Sequence, residues 1–187
     1  MFSWGARCKI CIGIARGLAF LHDEVHPHVL HRDIKASNIL LDKDLTPKIS
    51  DFGLARLLPT NATHISTRVA GTLGYLSPEY AISGQATRKS DVYSFGVLLL
   101  EIVSGRCNTN TIIPPEEQFL LERYPDVMGG ILVLQAWASY ERGELESMVD
   151  SSLAGVVDMN EACKFLKVGP SVHPRCIQTP PLHVQRL

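Results

Sequence analysis

From Asp91 to Val103 the chain reads Asp-Val-Tyr-Ser-Phe-Gly-Val-Leu-Leu-Leu-Glu-Ile-Val, apolar on nearly every side of a helix. Such a helix has no face to give to water, so it belongs in the middle of a domain with other elements packed round it. Gly105 supplies a stop, because glycine readily takes the left-handed backbone that ends helices. Any fold for this chain must therefore wrap around these residues. With 187 residues the chain is long enough for one domain with a substantial core.

The rest of the pattern is shorter-ranged. Ile10, Ile14, Leu18 and Leu21 fall on one helical face, with Arg7, Lys9 and Arg16 as polar relief. This predicts an amphipathic helix ending near His22, with Pro27 blocking extension. Val29-Leu30, Ile39-Leu40-Leu41 and Lys48-Ile49-Ser50 are short apolar pieces bounded by polar turns such as Asp42-Lys43-Asp44, which predicts small strands. Residues 56–76 are rich in Thr and Ser and read as a mobile loop. A helix over Phe119–Arg123 is expected. Tyr124–Gly130 then has no periodicity and two breakers, before the apolar run Ile131–Leu134. A helix is expected over Glu161–Val168. From Pro170 onward four prolines argue against helix.

Composition narrows the functional classes. The formal charge is −1, which argues against nucleic acid or an acidic membrane surface as partner. Five cysteines, an odd number, fit a reducing compartment better than a disulfide framework. No stretch approaches the roughly 20 apolar residues of a membrane span. Arg7, Lys9 and Arg16 interrupt any signal-peptide core, and Phe2 is incompatible with N-myristoylation. Cys8-Lys9-Ile10-Cys11 has the spacing of half a zinc or redox site. It lies within the first helix and has no second pair, so packing is the better reading. His26, His28 and His31 are too irregularly spaced for a metal site.

The chemistry is concentrated in two motifs. Residues 31–38 read His31-Arg32-Asp33-Ile34-Lys35-Ala36-Ser37-Asn38, and Asp51-Phe52-Gly53 follows. Together they supply a base, a lysine and two oxygen ligands in the order that phosphoryl transfer requires. The pair resembles the catalytic and metal-binding loops of eukaryotic protein kinases. The resemblance continues through Ser77-Pro78-Glu79 and Asp91-Val92-Tyr93-Ser94-Phe95-Gly96. From Ile10 to Arg123 the wording looks like a plant receptor-like serine/threonine kinase.

That resemblance implies a mainly α fold with a few short β-strands, the C-terminal lobe of the kinase fold. The expectation is of this lobe alone, an incomplete α+β kinase fold. No Gly-x-Gly-x-x-Gly occurs, and only 30 residues precede His31. Residues 1–123 are expected to form the lobe core and 124–136 an insertion. Residues 137–169 carry the remaining helices and 170–187 a divergent tail.

The implied activity is transfer of the ATP γ-phosphate to protein Ser or Thr hydroxyls, in signal transduction. Asp33 would orient the substrate hydroxyl and accept its proton. Lys35 would neutralise γ-phosphate charge and contact ATP, and its presence favours Ser/Thr substrates. Asn38 and Asp51 would hold Mg²⁺ and so the nucleotide. Gly53 gives its loop backbone freedom. His31 packs beneath the loops, and Asp91 accepts hydrogen bonds from the catalytic-loop backbone.

Arg32 would pair with a phosphorylated residue among Ser66, Thr67 and Thr72 (Thr63 is a further hydroxyl), with Thr67 favoured. Thr72, within Gly71–Tyr75, would also shape the substrate-binding segment. Glu79 would pair with a late arginine, for which only Arg175 and Arg186 are available. The implied partners are Ser/Thr protein substrates and a receptor or co-receptor kinase. The implied location is cytoplasmic, at the inner face of the plasma membrane. Two rival readings are an inactive lobe binding proteins through Gly71–Tyr75 and Asp91–Gly105, and a fragment with no stable fold.

Overall fold

Ser3 opens the first helix, α1 (Trp4–Ala19), by accepting the Ala6 amide. The computed structural model describes residues 2–108, 130–153 and 155–171. After α1 the chain makes a wider helical turn, Phe20–Glu24, and enters β1 (His28–Leu30). Next come β2 (Ile39–Leu41), β3 (Pro47–Ile49), β4 (Arg56–Leu58) and β5 (Ile65–Ser66). A short helix α2 (Pro78–Ser83) and β6 (Gln85–Ala86) lead into α3 (Arg88–Ser104). The described part closes with α4 (Ile131–Arg142) and α5 (Met159–Ser171).

α3 is the central helix that the apolar run demands. Thr87 and Ser90 exchange side-chain and backbone hydrogen bonds at its start, a capping box. Gly105 ends it at φ 67°. One flank of α3, with Tyr93, Val97, Leu100 and Val103, packs against Leu132 and Trp137 of α4 and Leu166 of α5. Leu98 meets Ile10, Ile14 and Leu18 of α1 together with Ile34. Ile34 is fully buried and lies inside the His31–Asn38 motif. A buried side chain of that size is worth about 1.5–3 kcal/mol, so the motif is pinned by the core.

The strands among the described residues form three antiparallel pairs, two of which flank the motifs. β2 pairs with β3, with Ile39 opposite Ile49, which sets Asn38 beside Ser50 and Asp51. β1 pairs with β4, with Leu30 opposite Arg56, and β5 pairs with β6.

Several expectations change. Residues 56–76 are not wholly loop, since β4 and β5 pair with distant strands and Leu58 is buried. Those partners lie too far off in sequence for a local pattern to reveal. Arg7 is not solvent relief but is buried, for reasons given below. Ile131–Leu134, grouped with residues 124–136, is the start of α4 with Leu132, Val133 and Leu134 buried. α5 runs through Pro170, because a proline in the closing turn removes one donor and leaves the earlier turns intact. Phe119–Arg123, residues 124–129 and 172–187 lie outside the described residues.

Candidate active site

Asp33 is the hub. Its Oδ1 accepts from the Thr72 hydroxyl at 2.7 Å. Its Oδ2 accepts from Lys35 Nζ at 2.9 Å and from Asn38 Nδ2 at 3.1 Å. Lys35 Nζ also donates to the Thr72 oxygen at 2.8 Å, closing a triangle of carboxylate, ammonium and hydroxyl. Burial acts to raise the Asp33 carboxyl. The Thr72, Lys35 and Asn38 hydrogen bonds and the Lys35 charge outweigh it, so the carboxyl sits below its ordinary value. Asp33 is therefore ionised at neutral pH.

Asn38 spends its amide nitrogen on the Asp33 backbone and side-chain oxygens, at 2.9 and 3.1 Å. Its own carbonyl accepts both the Ser50 amide and hydroxyl at 2.9 Å, which ties it to the residue before Asp51. Asp51 is exposed and sits at φ 60°, a left-handed conformation that aspartate tolerates. Its Oδ1 accepts the Gly53 amide at 3.3 Å. His31 is fully buried under both loops. Its Nδ1 faces the Asp33 amide at 3.2 Å, so the proton lies on Nε2, which meets Ser50 O at 3.0 Å. Its ring stands edge-on to Phe52, with centroids 5.0 Å apart.

Comparison with known proteins settles what carries this arrangement. Residues 2–119 match the protein kinase domain family. The chain belongs to that family. Cold-responsive protein kinase 1 of Arabidopsis thaliana is 65% identical over 168 residues, covering 90% of this chain and 40% of that protein. The Arabidopsis thaliana protein "Probable LRR receptor-like serine/threonine-protein kinase RFK1" is 54% identical over 88% of this chain and 15% of its own length. The solved pseudokinase domain of BIR2, an immune regulator of the RLK/Pelle family, superposes with a TM-score of 0.68 at 28% identity, covering 91% of this chain and 46% of that one. The kinase chain thus spans well under half the length of these curated relatives. Over most of its own length it is similar to plant receptor-like serine/threonine kinases. Protein kinases as a family use ATP and Mg²⁺ and act on protein substrates.

Within this kinase lobe, Asp91 is buried and accepts three donors. The His31 amide reaches Oδ2 at 2.8 Å, the Arg32 amide reaches Oδ1 at 2.7 Å, and His22 Nε2 lies 2.8 Å from Oδ2. These bonds hold Arg32 at φ 70°, a conformation costing a non-glycine residue about 1–3 kcal/mol. Sequence reading missed His22. The signal was present, because Ile10, Ile14 and Leu18 recur every four residues and the next position is His22.

Arg32 is buried, and among the described residues its guanidinium meets no carboxylate. It donates to Leu54 O at 2.9 Å, Arg68 O at 2.8 Å and the Tyr80 hydroxyl at 2.5 and 3.0 Å. Tyr80, also missed from sequence, further accepts the Ala70 amide at 3.1 Å. Ser66 is exposed and Thr67 half-buried, its amide donating to Gly84 O at 3.0 Å.

Glu79 Oε2 is buried without a partner among the described residues, and so is the Tyr93 hydroxyl. Burial, then the Glu79 charge, push that phenol well above its usual range. Arg175 and Arg186 lie outside the described residues. Cys8 is half-buried and Cys11 buried; burial raises their thiols to about 11 and about 12, which leaves them protonated and inert. No helix among the described residues is long and apolar enough to cross a membrane.

Proposed function

We propose that this chain supplies the catalytic half of a serine/threonine phosphotransferase of the receptor-like type. The observation that carries the reading is the closed triangle of Asp33, Lys35 and Thr72. Its carboxylate accepts hydrogen bonds only, so it can hold a substrate hydroxyl by its proton and take that proton as the phosphoryl group transfers. Lys35 keeps a positive charge beside that position, where negative charge on the phosphoryl oxygens needs neutralising. Thr72 belongs to Gly71–Tyr75, and its bonds to Asp33 and Lys35 support reading that stretch as the substrate-binding segment. The substrates are proteins presenting Ser or Thr, and the domain works in the cytoplasm beside a receptor or co-receptor kinase. The printed names of its relatives, receptor-like serine/threonine-protein kinases among them, support the first statement.

The donor set suits magnesium, a hard cation that prefers oxygen ligands. Asn38 has committed its nitrogen to Asp33, which leaves its amide oxygen as the group on offer. Asp51 presents an exposed carboxylate two residues from the Asn38 partner Ser50's neighbour Ile49. When bound, the metal with ATP supplies charge neutralisation for the transferring group. The test is titration of the full chain with Mg²⁺ and ATP by calorimetry. Mg²⁺-dependent nucleotide binding that falls about tenfold or more in both Asp51→Asn and Asn38→Ala is expected, since each variant removes or weakens one ligand. Affinity equal to the parent's in both variants, or no binding by the parent chain, removes the reading.

Arg32 supports a regulatory part. A buried guanidinium held only by neutral oxygens gains from a dianion brought beside it. Thr67 is adjacent to Arg68, whose carbonyl Arg32 already grips. Phosphopeptide mapping of an active preparation is expected to find phosphate between Ser66 and Thr72. An active preparation carrying none there contradicts this role for Arg32.

A second reading, an inactive lobe that binds proteins, is favoured by the likeness to the BIR2 pseudokinase domain and by Leu73, in the stretch read as substrate-binding, being 81% exposed. The other surface assigned to it, Asp91–Gly105, is the central helix, and most of it is buried.

A further inference from the structure

Gly74 and Gly130 lie far apart in sequence and face the same side chain. A methyl group on Gly74 would stand 2.8 Å from Asn108 Nδ2, and one on Gly130 would stand 2.5 Å from Asn108 Oδ1. Two glycines thus clear the space that Asn108 fills, and Asn108 is only 2% exposed. Its Nδ2 donates to the Gly74 carbonyl at 2.9 Å. Its backbone N–H donates to Glu101 Oε1 at 2.7 Å, and Glu101 Oε2 takes the Tyr75 hydroxyl at 2.5 Å. The Tyr75 carbonyl accepts Ser94 Oγ at 2.7 Å. Gly74 and Tyr75 are therefore gripped at both carbonyls and at the phenol. Thr72, two residues earlier, is bonded to Asp33.

We propose that Asn108 is a positioning residue, latching the Gly71–Tyr75 segment onto the end of α3 and the start of α4 so that Thr72 meets Asp33. The inference rests on reading Gly71–Tyr75 as the substrate-binding segment. The choice of residue argues for it. Among the described residues Asn108 Oδ1 is buried with no partner, a cost that an apolar side chain of the same size would not carry. What the amide adds is one N–H aimed at Gly74 O. Rotating the amide would set oxygen against oxygen, so the donor orientation is fixed. Asn108 touches neither Asp33 nor Lys35, and its effect passes through the segment.

The test uses the full chain with Asn108→Ala and Asn108→Leu, the second keeping volume without the N–H. Amide hydrogen exchange is read by NMR. The Tyr75 amide donates to Thr72 O at 3.1 Å and so reports whether the turn is closed. Its exchange is expected to quicken about tenfold in both variants while amides in the middle of α3 keep their rates. Unchanged Tyr75 exchange overturns the latch. So does equal quickening across α3, which would make Asn108 a general stabiliser. Should Asn108→Leu not fold, Asn108→Ala decides alone. Phosphate transfer is assayed in parallel. There Asn108→Ala is expected to raise KM for protein substrate several-fold and leave KM for ATP unchanged. Selective loss of Tyr75 protection in the variants, alongside a parent chain that shows no transfer, upholds the latch and removes only the catalytic reading.

Discussion

Asp33→Asn is expected to lower phosphate transfer from Mg-ATP to a generic protein substrate by about 10²–10⁴-fold, the range spanned by a positioned general base. The variant keeps the shape of the side chain and loses one acceptor. In the parent, Thr72 donates to one oxygen while Lys35 and Asn38 share the other. An amide has a single oxygen, so in either rotamer at least one of those donors faces an N–H₂ group. The triangle must open, and the group that would take the substrate proton is gone. Because Ile34 and the Asp91 bonds hold the loop independently, the fold should survive, and unchanged exchange in α3 checks that. A variant within threefold of the parent rate would mean that Asp33 plays no part in the chemistry.

The second large effect concerns stability. Arg7→Met is expected to destabilise the lobe by about 3 kcal/mol, because it removes the charge-assisted hydrogen bonds of a buried guanidinium. Arg7 reaches from α1 to the last turn of α3 and the segment before α5. Its guanidinium donates to Ile102 O at 2.9 Å, Val103 O at 3.4 Å and Asp150 Oδ2 at 2.6 Å. Two carbonyls that α3 cannot satisfy within itself are thus capped by one side chain. Gly105 makes the room, since a methyl group there would lie 2.5 Å from Asp150 Oδ2. Thermal melts should show the loss as a drop of roughly 10 °C in Tm for a chain of this size.

The same pair has a pH signature. The Arg7 hydrogen bond, with help from Ser152, holds the Asp150 carboxyl at about 2, below its ordinary 3.8. A depressed carboxyl stabilises the fold above its unfolded value, and that contribution fades as pH falls from about 4 through about 2. Urea melts of the parent should therefore lose stability over that window, and Asp150→Asn should lack this component. Equal acid sensitivity in the two proteins would show that the pair is not coupled to folding.

Much of this was legible in the chain. The apolar run Asp91–Val103 required a central helix, and α3 occupies it. The short apolar pieces around a polar turn predicted the strands β2 and β3, but only the structure gives their register, which sets Asn38, bonded to Asp33, beside Ser50 and Asp51. Other parts could not be read. Arg7 falls among Lys9 and Arg16 and looks like solvent-facing charge, yet it is buried. The β4 and β5 segments look like loop, because the strands that pair with them are far away in sequence.

Residue types and local spacing were enough to decide the central helix and the first helix, and the kinase resemblance marked Asp33, Lys35, Asn38 and Asp51 as candidates, because periodicity and motif order are properties of neighbouring residues. Tertiary structure alone decided that His22 steadies Asp91, that Tyr80 receives Arg32, that Arg7 meets Asp150 and that Asn108 fits between two glycines. Each of those pairings joins residues far apart in the sequence. Burial removes water as the alternative partner, so which donor meets which acceptor is set by how the helices pack, and no local stretch of sequence encodes that.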